Sequence, residues 1–499
     1  MRRMGGWTRR SAPCESDAME MMSALDASFL HLETASTPMH LGWLGIFEGP
    51  PPAFAEIVTL VEAKLALVPR YRRKVRFVPL GVSRPRWVDD PHFNLAYHLR
   101  HTGLPAPGGE GELRTLVGRV MSQRLDRARP LWDMWIVEGL AEGRWAMLSK
   151  VHHCMVDGLS ATDLLTVMLA RSPEEAPPGG AARWRPAPEP RAAGLLASAV
   201  LEQLASPVDI IRSAARTARA PRQLATRTIE TARGLATMRG LVRHTPPVSI
   251  NGPVGPNRRW AQARVKLSEV KTVRGALGGT VNDVVLTVVT AGLRSLLLAR
   301  GEPVQGRVLR TLVPVSVRTP GQHGAYDNRV SAMFAALPVG IEQPVQRLNS
   351  IRAQMQGLKD SGEAVAGEVL TSLAGFAPPS LLAVAERVAA HVPQRNINTV
   401  ATNVPGPQYP LYAVDRRMLE VFPYVPLGGR VRVGVAICSY DGALGFGATG
   451  DWDTTPDLEV LCAGIEHGLD ELLKAAGATP PHRTPQPTAP GAPAASART

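Results

Sequence analysis

The chain has 499 residues, too many for one ordinary hydrophobic core, so two or three domains are expected. Its 44% hydrophobic content is that of a globular protein, and 46 glycines with 44 prolines predict many loops. A formal net charge of +13 suits anionic partners such as phosphates or an acidic lipid surface; no RNA-binding aromatic pattern, zinc-finger spacing or basic recognition helix accompanies it, so nucleic acid is not an expected partner.

Residues 1–22 carry Arg2, Arg3, Arg9 and Arg10 without an apolar h-region. They read as a disordered arm, or as sequence upstream of a start at Met19, Met21 or Met22. A first folded block spans 23–171. In it, Trp145 to Val151 reads as a strand, Gly158 permits a sharp turn, and Ser160 to Asp163 fits a capping box that starts a helix through Leu169. Residues 172–252 form a Pro/Gly-rich linker and a basic crossover. The linker leads into a helical pattern at Leu195, Leu196, Val200, Leu201 and Leu204. Arg212 to Arg243 then holds eight arginines and one acid, Glu230. That run is either a solvated helix face or a basic amphipathic surface for anionic lipid.

A second block spans 253–476. A helix after Thr280 is predicted to bury Val281, Val284, Val285, Val288 and Leu293. Val431 to Tyr440 alternates like a strand, Asp441-Gly442 is a two-residue hairpin turn, and Ala443 to Thr449 returns. A last helix places Leu458, Leu461, Ile465, Leu469 and Leu473 on one face. Residues 477–499 are Pro/Ala/Thr-rich and read as a disordered tail. The fold class is α/β, two-lobed, with mixed strands and helices in each lobe. Cys14, Cys154, Cys438 and Cys462 are scattered without CxxC, which fits a reducing cytoplasm. No uninterrupted apolar run reaches the ~18 residues of a membrane span.

The chemistry concentrates in His152-His153-Cys154-Met155-Val156-Asp157-Gly158. Consecutive strand side chains face opposite sides, so the two histidines should do different jobs. His153, nearer the turn, is expected to be a general base, largely neutral near neutral pH. His152 is expected to pack or to orient its neighbour, and Asp157 to hold the turn beside Gly158. A structural histidine pair is the competing reading. No HExxH and no third ligand at helix spacing occur, so no metal is expected. Cys154 lies among apolar residues and reads as packing, and no GxSxG elbow is present.

These residues resemble the bacterial wax ester synthase/acyl-CoA:diacylglycerol acyltransferase family, within the HHxxxDG group of CoA-dependent acyltransferases. The resemblance covers about Ser23 to Ala475. It is carried also by Ser23 to Leu30, Pro38 to Gly42, Arg129 to Gly139 with its Pro130-Leu131-Trp132, Thr280 to Leu286, Pro314 to Arg318, Thr402 to Pro407, and Ser439 to Gly442. One departure is Asp327-Asn328, where the family often has Gly-Asn. The resemblance implies a chloramphenicol-acetyltransferase-like architecture with an active-site tunnel between the lobes.

It further implies acyl transfer from acyl-CoA, as co-substrate with no other cofactor, to diacylglycerol or a fatty alcohol. His153 would be the base, and no acyl-enzyme is required. Asn282 is either a candidate for holding the oxyanion or acyl carbonyl or a structural turn residue; Asp283 is either a second candidate or a helix cap. Trp132 is expected to pack beside the site or line the acyl chain, and Arg318 either to pair with Asp157 or to sit in solvent. Cytoplasmic, peripheral attachment to an anionic inner membrane or lipid droplet follows. A condensation-domain-like enzyme using carrier-bound donors, and a non-catalytic lipid-surface protein, are the alternatives.

Overall fold

The computed structural model describes residues 19–155, 161–175, 184–201, 245, 248–316, 330–360, 396–481 and 483. The strands of the first half are β1 Met19–Met21, β2 His40–Phe47, β3 Arg73–Arg76, β4 Arg86–Asp89, β5 Leu99–Gly103, β6 Trp132–Glu138 and β7 Trp145–His152. Those of the second half are β8 Arg258–Lys266, β9 Leu309–Ser316, β10 Val330–Leu337, β11 Thr399–Val404, β12 Tyr412–Ala413, β13 Arg416–Tyr424, β14 Val433–Tyr440 and β15 Ala443–Asp451. Two six-stranded mixed sheets result, ordered β12-β13-β2-β7-β6-β5 and β10-β9-β11-β14-β15-β8. A small sheet, β1-β4-β3, joins the first lobe.

The lobes do not divide cleanly along the chain. A boundary at residue 253 would assign 412–424 to the second lobe, yet β13 pairs antiparallel with β2, as Phe422 opposite Leu44 shows. The exchange is pinned by one phenol. Tyr440 ends β14 in the second sheet; its hydroxyl donates to Met418 O (2.9 Å) and accepts from Leu411 N–H (2.8 Å). Leu411 immediately precedes the excursion into the first sheet and Met418 lies within it on β13, so one buried, satisfied hydroxyl ties the end of β14 to the crossing segment.

The seam between lobes combines a buried apolar cluster, in which Trp260 of β8 joins Leu44, Leu116 and Phe422, with polar ties. Arg258, on β8, donates to Ser36 O and Gly255 O from a buried guanidinium, and its backbone N–H donates to Ser122 Oγ (2.8 Å). Arg264 bridges Glu110 (2.6 Å) of the first lobe and Glu420 (2.7 Å) of β13. A Cβ on Gly118 would lie 2.7 Å from Arg258 O, so the helix Glu110–Ser122 approaches β8 closely only because that residue is glycine.

The second lobe is built around two helices. Val281–Ala299 is long and apolar enough to cross a membrane by length and composition, but it lies mostly buried in the core. It packs against the final helix, Leu458–Ala475, through small residues: a Cβ on Gly464 would meet Gly292 Cα at 2.9 Å, and one on Gly468 would meet Ala291 Cβ at 2.5 Å. The five residues expected on the final helix's buried face are all in the core. Val284, Val285, Val288 and Leu293 are buried as expected, while Val281 is only partly covered; the opposite face is buried too, because this helix sits between neighbours. At the end of β14 the Asp441-Gly442 turn has φ 42° and 80°, the paired positive values of a type I′ hairpin.

Candidate active site

β7 is buried along its whole length and lies between β2 and β6. It ends by delivering the two histidines. His152 is the last strand residue, opposite His40 on β2, and its N–H donates to Leu131 O (2.9 Å). His153 opens a short 3-10 turn to Met155, with its N–H on Met39 O (2.8 Å). The change from strand to turn between them separates their environments.

His152 is only 1% exposed. Its Nδ1 accepts from Cys154 N–H (3.2 Å) and faces Cys154 Sγ (3.0 Å), which leaves the proton of the neutral ring on Nε2. Nε2 lies 3.8 Å from Glu33 Oε1, and His40 Nε2 lies 3.5 Å from the same oxygen. The other Glu33 oxygen accepts from Arg127 (2.6 and 3.0 Å) and Arg124 (3.4 Å). A buried carboxylate thus stands between two histidines and two arginines. Burial, only partly opposed by Glu33, pushes His152 down to about 4, and His40 is likewise pushed well down by burial.

His153 is only half-buried. Its ring stacks on Phe29 with centroids 3.7 Å apart and planes 20° from parallel. Burial against that ring lowers it to about 4, with its own backbone carbonyl pulling the other way. Its Nδ1 has no well-formed hydrogen bond among the described residues. The imidazole is therefore neutral at pH 7, held by stacking and by its backbone, with part of its surface open. Cys154, fully buried between Asp26 and His152, has its thiol pushed well up by burial and makes a poor nucleophile.

Trp132 occupies a packing position next to the histidine end of β7. Its Nε1–H donates to Tyr71 O (2.8 Å), and it stacks on His98 at 4.6 Å. At the start of Val281–Ala299 the capping box forms as expected. Asp283 Oδ2 accepts from Thr280 N–H (2.7 Å), and Thr280 Oγ1 accepts from Asp283 N–H (3.2 Å). The Asp283 carboxylate is an acceptor committed to this cap, so it has no donor to offer an oxyanion. Asn282, beside it, accepts at Oδ1 from Asn403 Nδ2 (3.1 Å), which turns its own amide N–H group outward from that bond. Asn403 is near the end of β11, opposite Ile437 on β14, just before the close approach at Gly406, where a Cβ would lie 2.1 Å from Ser439 O.

Asp157 and Gly158 lie outside the described residues, as do Arg318, the Asp327-Asn328 departure and the arginine-rich run. Two cavities bounded by described residues lie away from the histidines, one of about 320 Å³ beside Lys64 and Glu175 and one of about 230 Å³ at His101. Phe29, Glu33 and His40 contact the histidine pair and were passed over in chain-order reading; Asn403, which that reading takes as structural, contacts Asn282. Each sits in or beside a segment that carries the resemblance; the available signal was an acid and a histidine set among otherwise apolar, core-forming residues.

The wax ester synthase/diacylglycerol acyltransferase catalytic-domain family model matches residues 22–285, and the family's C-terminal domain model matches 326–473. The chain belongs to this family. It is similar to a probable diacylglycerol O-acyltransferase, tgs1, of Mycobacterium tuberculosis, at 35% identity over 463 residues, covering 91% of this chain and 96% of the relative. A second, tgs2 of the same species, is 33% identical over 470 residues, covering 92% and 100%. The wax ester synthase/diacylglycerol acyltransferase of Marinobacter aquaeolei VT8 superposes with a TM-score of 0.65 at 26% identity, covering 92% of this chain and 100% of that one. The first condensation domain of the calcium-dependent antibiotic synthetase shares the two-lobed fold, with a TM-score of 0.56 at 15% identity over 93% and 98%. The protein is thus an acyltransferase of the wax ester synthase/diacylglycerol acyltransferase family, with the two-lobed α/β fold expected.

Proposed function

We propose that the enzyme moves a fatty acyl group from acyl-CoA to the free hydroxyl of diacylglycerol, giving triacylglycerol, and to long-chain alcohols as secondary acceptors, giving wax esters. His153 is the general base. It takes the acceptor's hydroxyl proton as that oxygen attacks the thioester carbonyl; the tetrahedral intermediate then collapses, the carbon–sulfur bond breaks, and His153 returns the proton to the CoA thiolate. The Asn282 amide N–H and backbone amides stabilise the oxyanion. No acyl-enzyme intervenes, and no cofactor beyond acyl-CoA takes part.

The observation that carries this reading is the state of His153: neutral, stacked on Phe29, half-open, and next to a thiol that burial has silenced. Proximity of the two substrates supplies much of the rate. The surplus of basic residues suits CoA phosphates and a cytoplasmic membrane or droplet surface that stores the acceptor. The test uses labelled acyl-CoA with diacylglycerol or hexadecanol. Wild type makes neutral lipid, and His153→Ala loses at least ~100-fold in rate with its thermal unfolding unchanged. A folded, fully active His153→Ala protein would end the mechanism.

A further inference from the structure

The segment from Phe29 to His40 supplies contacts to both histidines. Phe29 stacks on the His153 ring, Glu33 faces His152, and Met39 O accepts the His153 N–H at 2.8 Å. Between Glu33 and Met39 the chain makes a tight turn. Thr34 and Thr37 exchange backbone hydrogen bonds at 3.3 Å, and their hydroxyls meet at 2.6 Å. Ser36 lies inside this turn, and its carbonyl accepts from the other lobe, from Arg258 Nη2 at 2.5 Å.

Arg258 is only 1% exposed. Its Nη1 donates to Gly255 O (2.6 Å) and Asn257 O (2.9 Å), and its backbone N–H donates to Ser122 Oγ. The Tyr424 hydroxyl and Asp451 also face the guanidinium. Burying a cation is costly, and apolar side chains of similar volume often seal a seam as well. Trp260, two residues on and facing the same way along β8, already seals it with Leu44, Leu116 and Phe422. What a guanidinium adds is direction: a rigid planar fork reaches across the seam and holds carbonyls on both sides in fixed positions.

Arg264 supplies the contrast. It lies on the same face of β8 and ties Glu110 and Glu420. It meets the helix Glu110–Ser122 at its first residue, whereas Arg258 meets that helix at its last, about 18 Å away along the axis. Both arginines join the lobes; of the two, Arg258 reaches the histidine segment.

We propose that Arg258 is a positioning residue for the acyl transfer: through Ser36 O it fixes the 33–40 segment, and with it the His153 backbone, relative to the lobe that carries Asn282. The purpose rests on His153 being the base proposed above. The hold on the segment is measured without turnover, so an active His153→Ala protein would remove the base and leave the hold to be judged separately.

The experiment compares full-length Arg258→Lys and Arg258→Met with Arg264→Ala. Lysine keeps the cation, but one ammonium cannot span Ser36 O and the carbonyls of Gly255 and Asn257 at once. Hydrogen–deuterium exchange in 33–40 and 153–155 is expected to quicken about tenfold or more in both Arg258 variants, and to stay at wild-type rates in Arg264→Ala. In the Arg258 variants kcat falls about 10- to 100-fold while KM for acyl-CoA stays near wild type, and in Arg264→Ala kcat stays within about twofold. Wild-type exchange or wild-type kcat in Arg258→Lys overturns the proposal. Equal changes in Arg264→Ala overturn it too, because any loosening of the seam would then suffice. If the methionine protein does not fold, the lysine protein decides; a lysine protein that does not fold makes Arg258 a folding residue and also overturns the proposal.

Discussion

Replacing Glu33 with glutamine keeps the volume of the side chain and removes its charge. In the native lobe that carboxylate accepts from Arg127 at 2.6 and 3.0 Å and from Arg124 at 3.4 Å, and it faces His40 and His152 at 3.5 and 3.8 Å. Stranding one partner of a buried ion pair costs ~3–5 kcal/mol. The arginine side chains here are 30% and 43% exposed, so water re-solvates part of the stranded charge. Arg127 also retains its bond to Leu30 O. A destabilisation of ~1–3 kcal/mol is therefore expected for Glu33→Gln. Glu33 touches no substrate in this scheme; it acts by orienting His152, whose backbone leads directly into His153. Small displacements of a base are costly, so kcat should drop about tenfold or more while KM for acyl-CoA stays close to wild type. Urea unfolding gives the first quantity and steady-state kinetics the second. An unchanged urea midpoint together with unchanged kcat would refute the idea that this carboxylate organises the histidines.

Acid should destabilise the protein with a defined sign. Burial lowers His152 and His153 to about 4 in the folded state, against about 6.5 in an unfolded chain, so below 6.5 the unfolded chain binds protons that the native state refuses. The shift costs nothing above pH 6.5 and destabilises the fold increasingly towards pH 4, by up to ~1.4 kcal/mol per pH unit per histidine; urea midpoints that hold steady between pH 7 and 5 would contradict it. The same shift places the acid limb of kcat/KM well below 6.5, and a limb at 6.5 or above in the pH–rate profile would show that His153 is not buried against Phe29 in the working enzyme. Adjacent substitutions at the start of Val281–Ala299 should separate chemistry from structure. Asn282→Ala is expected to lower kcat ~100-fold with stability kept, whereas Asp283→Ala costs ~1 kcal/mol of stability through the lost cap and leaves kcat largely intact; kinetics and urea melts on both proteins distinguish the roles, and the reverse pattern would rule them out.

Short-range features were legible in the amino-acid order. The Asp441-Gly442 turn, the Thr280–Asp283 cap, the strand that ends at His152 and the apolar stripe from Leu458 to Leu473 each depend on contacts within a few residues. Periodicity and turn chemistry report such contacts directly. Strand alternation predicts unequal surroundings for the two histidines; the structure gives them unequal surroundings, but through the change from strand at His152 to a 3-10 turn at His153. The environment of those histidines was not legible. Glu33 meets Arg127 across 94 positions, and Asn282 meets Asn403 across 121. Residues 412–424 leave their neighbours in sequence to extend the other lobe's sheet, because β2 offers an open edge to β13 and Tyr440 fixes the crossing. No local pattern encodes which strand edge a segment will pair with. By itself the sequence determined where the histidine pair and a helix cap would stand; the tertiary structure decided what surrounds them. A side chain's protonation and orientation are set by burial and by partners that only the folded chain brings within a few ångströms.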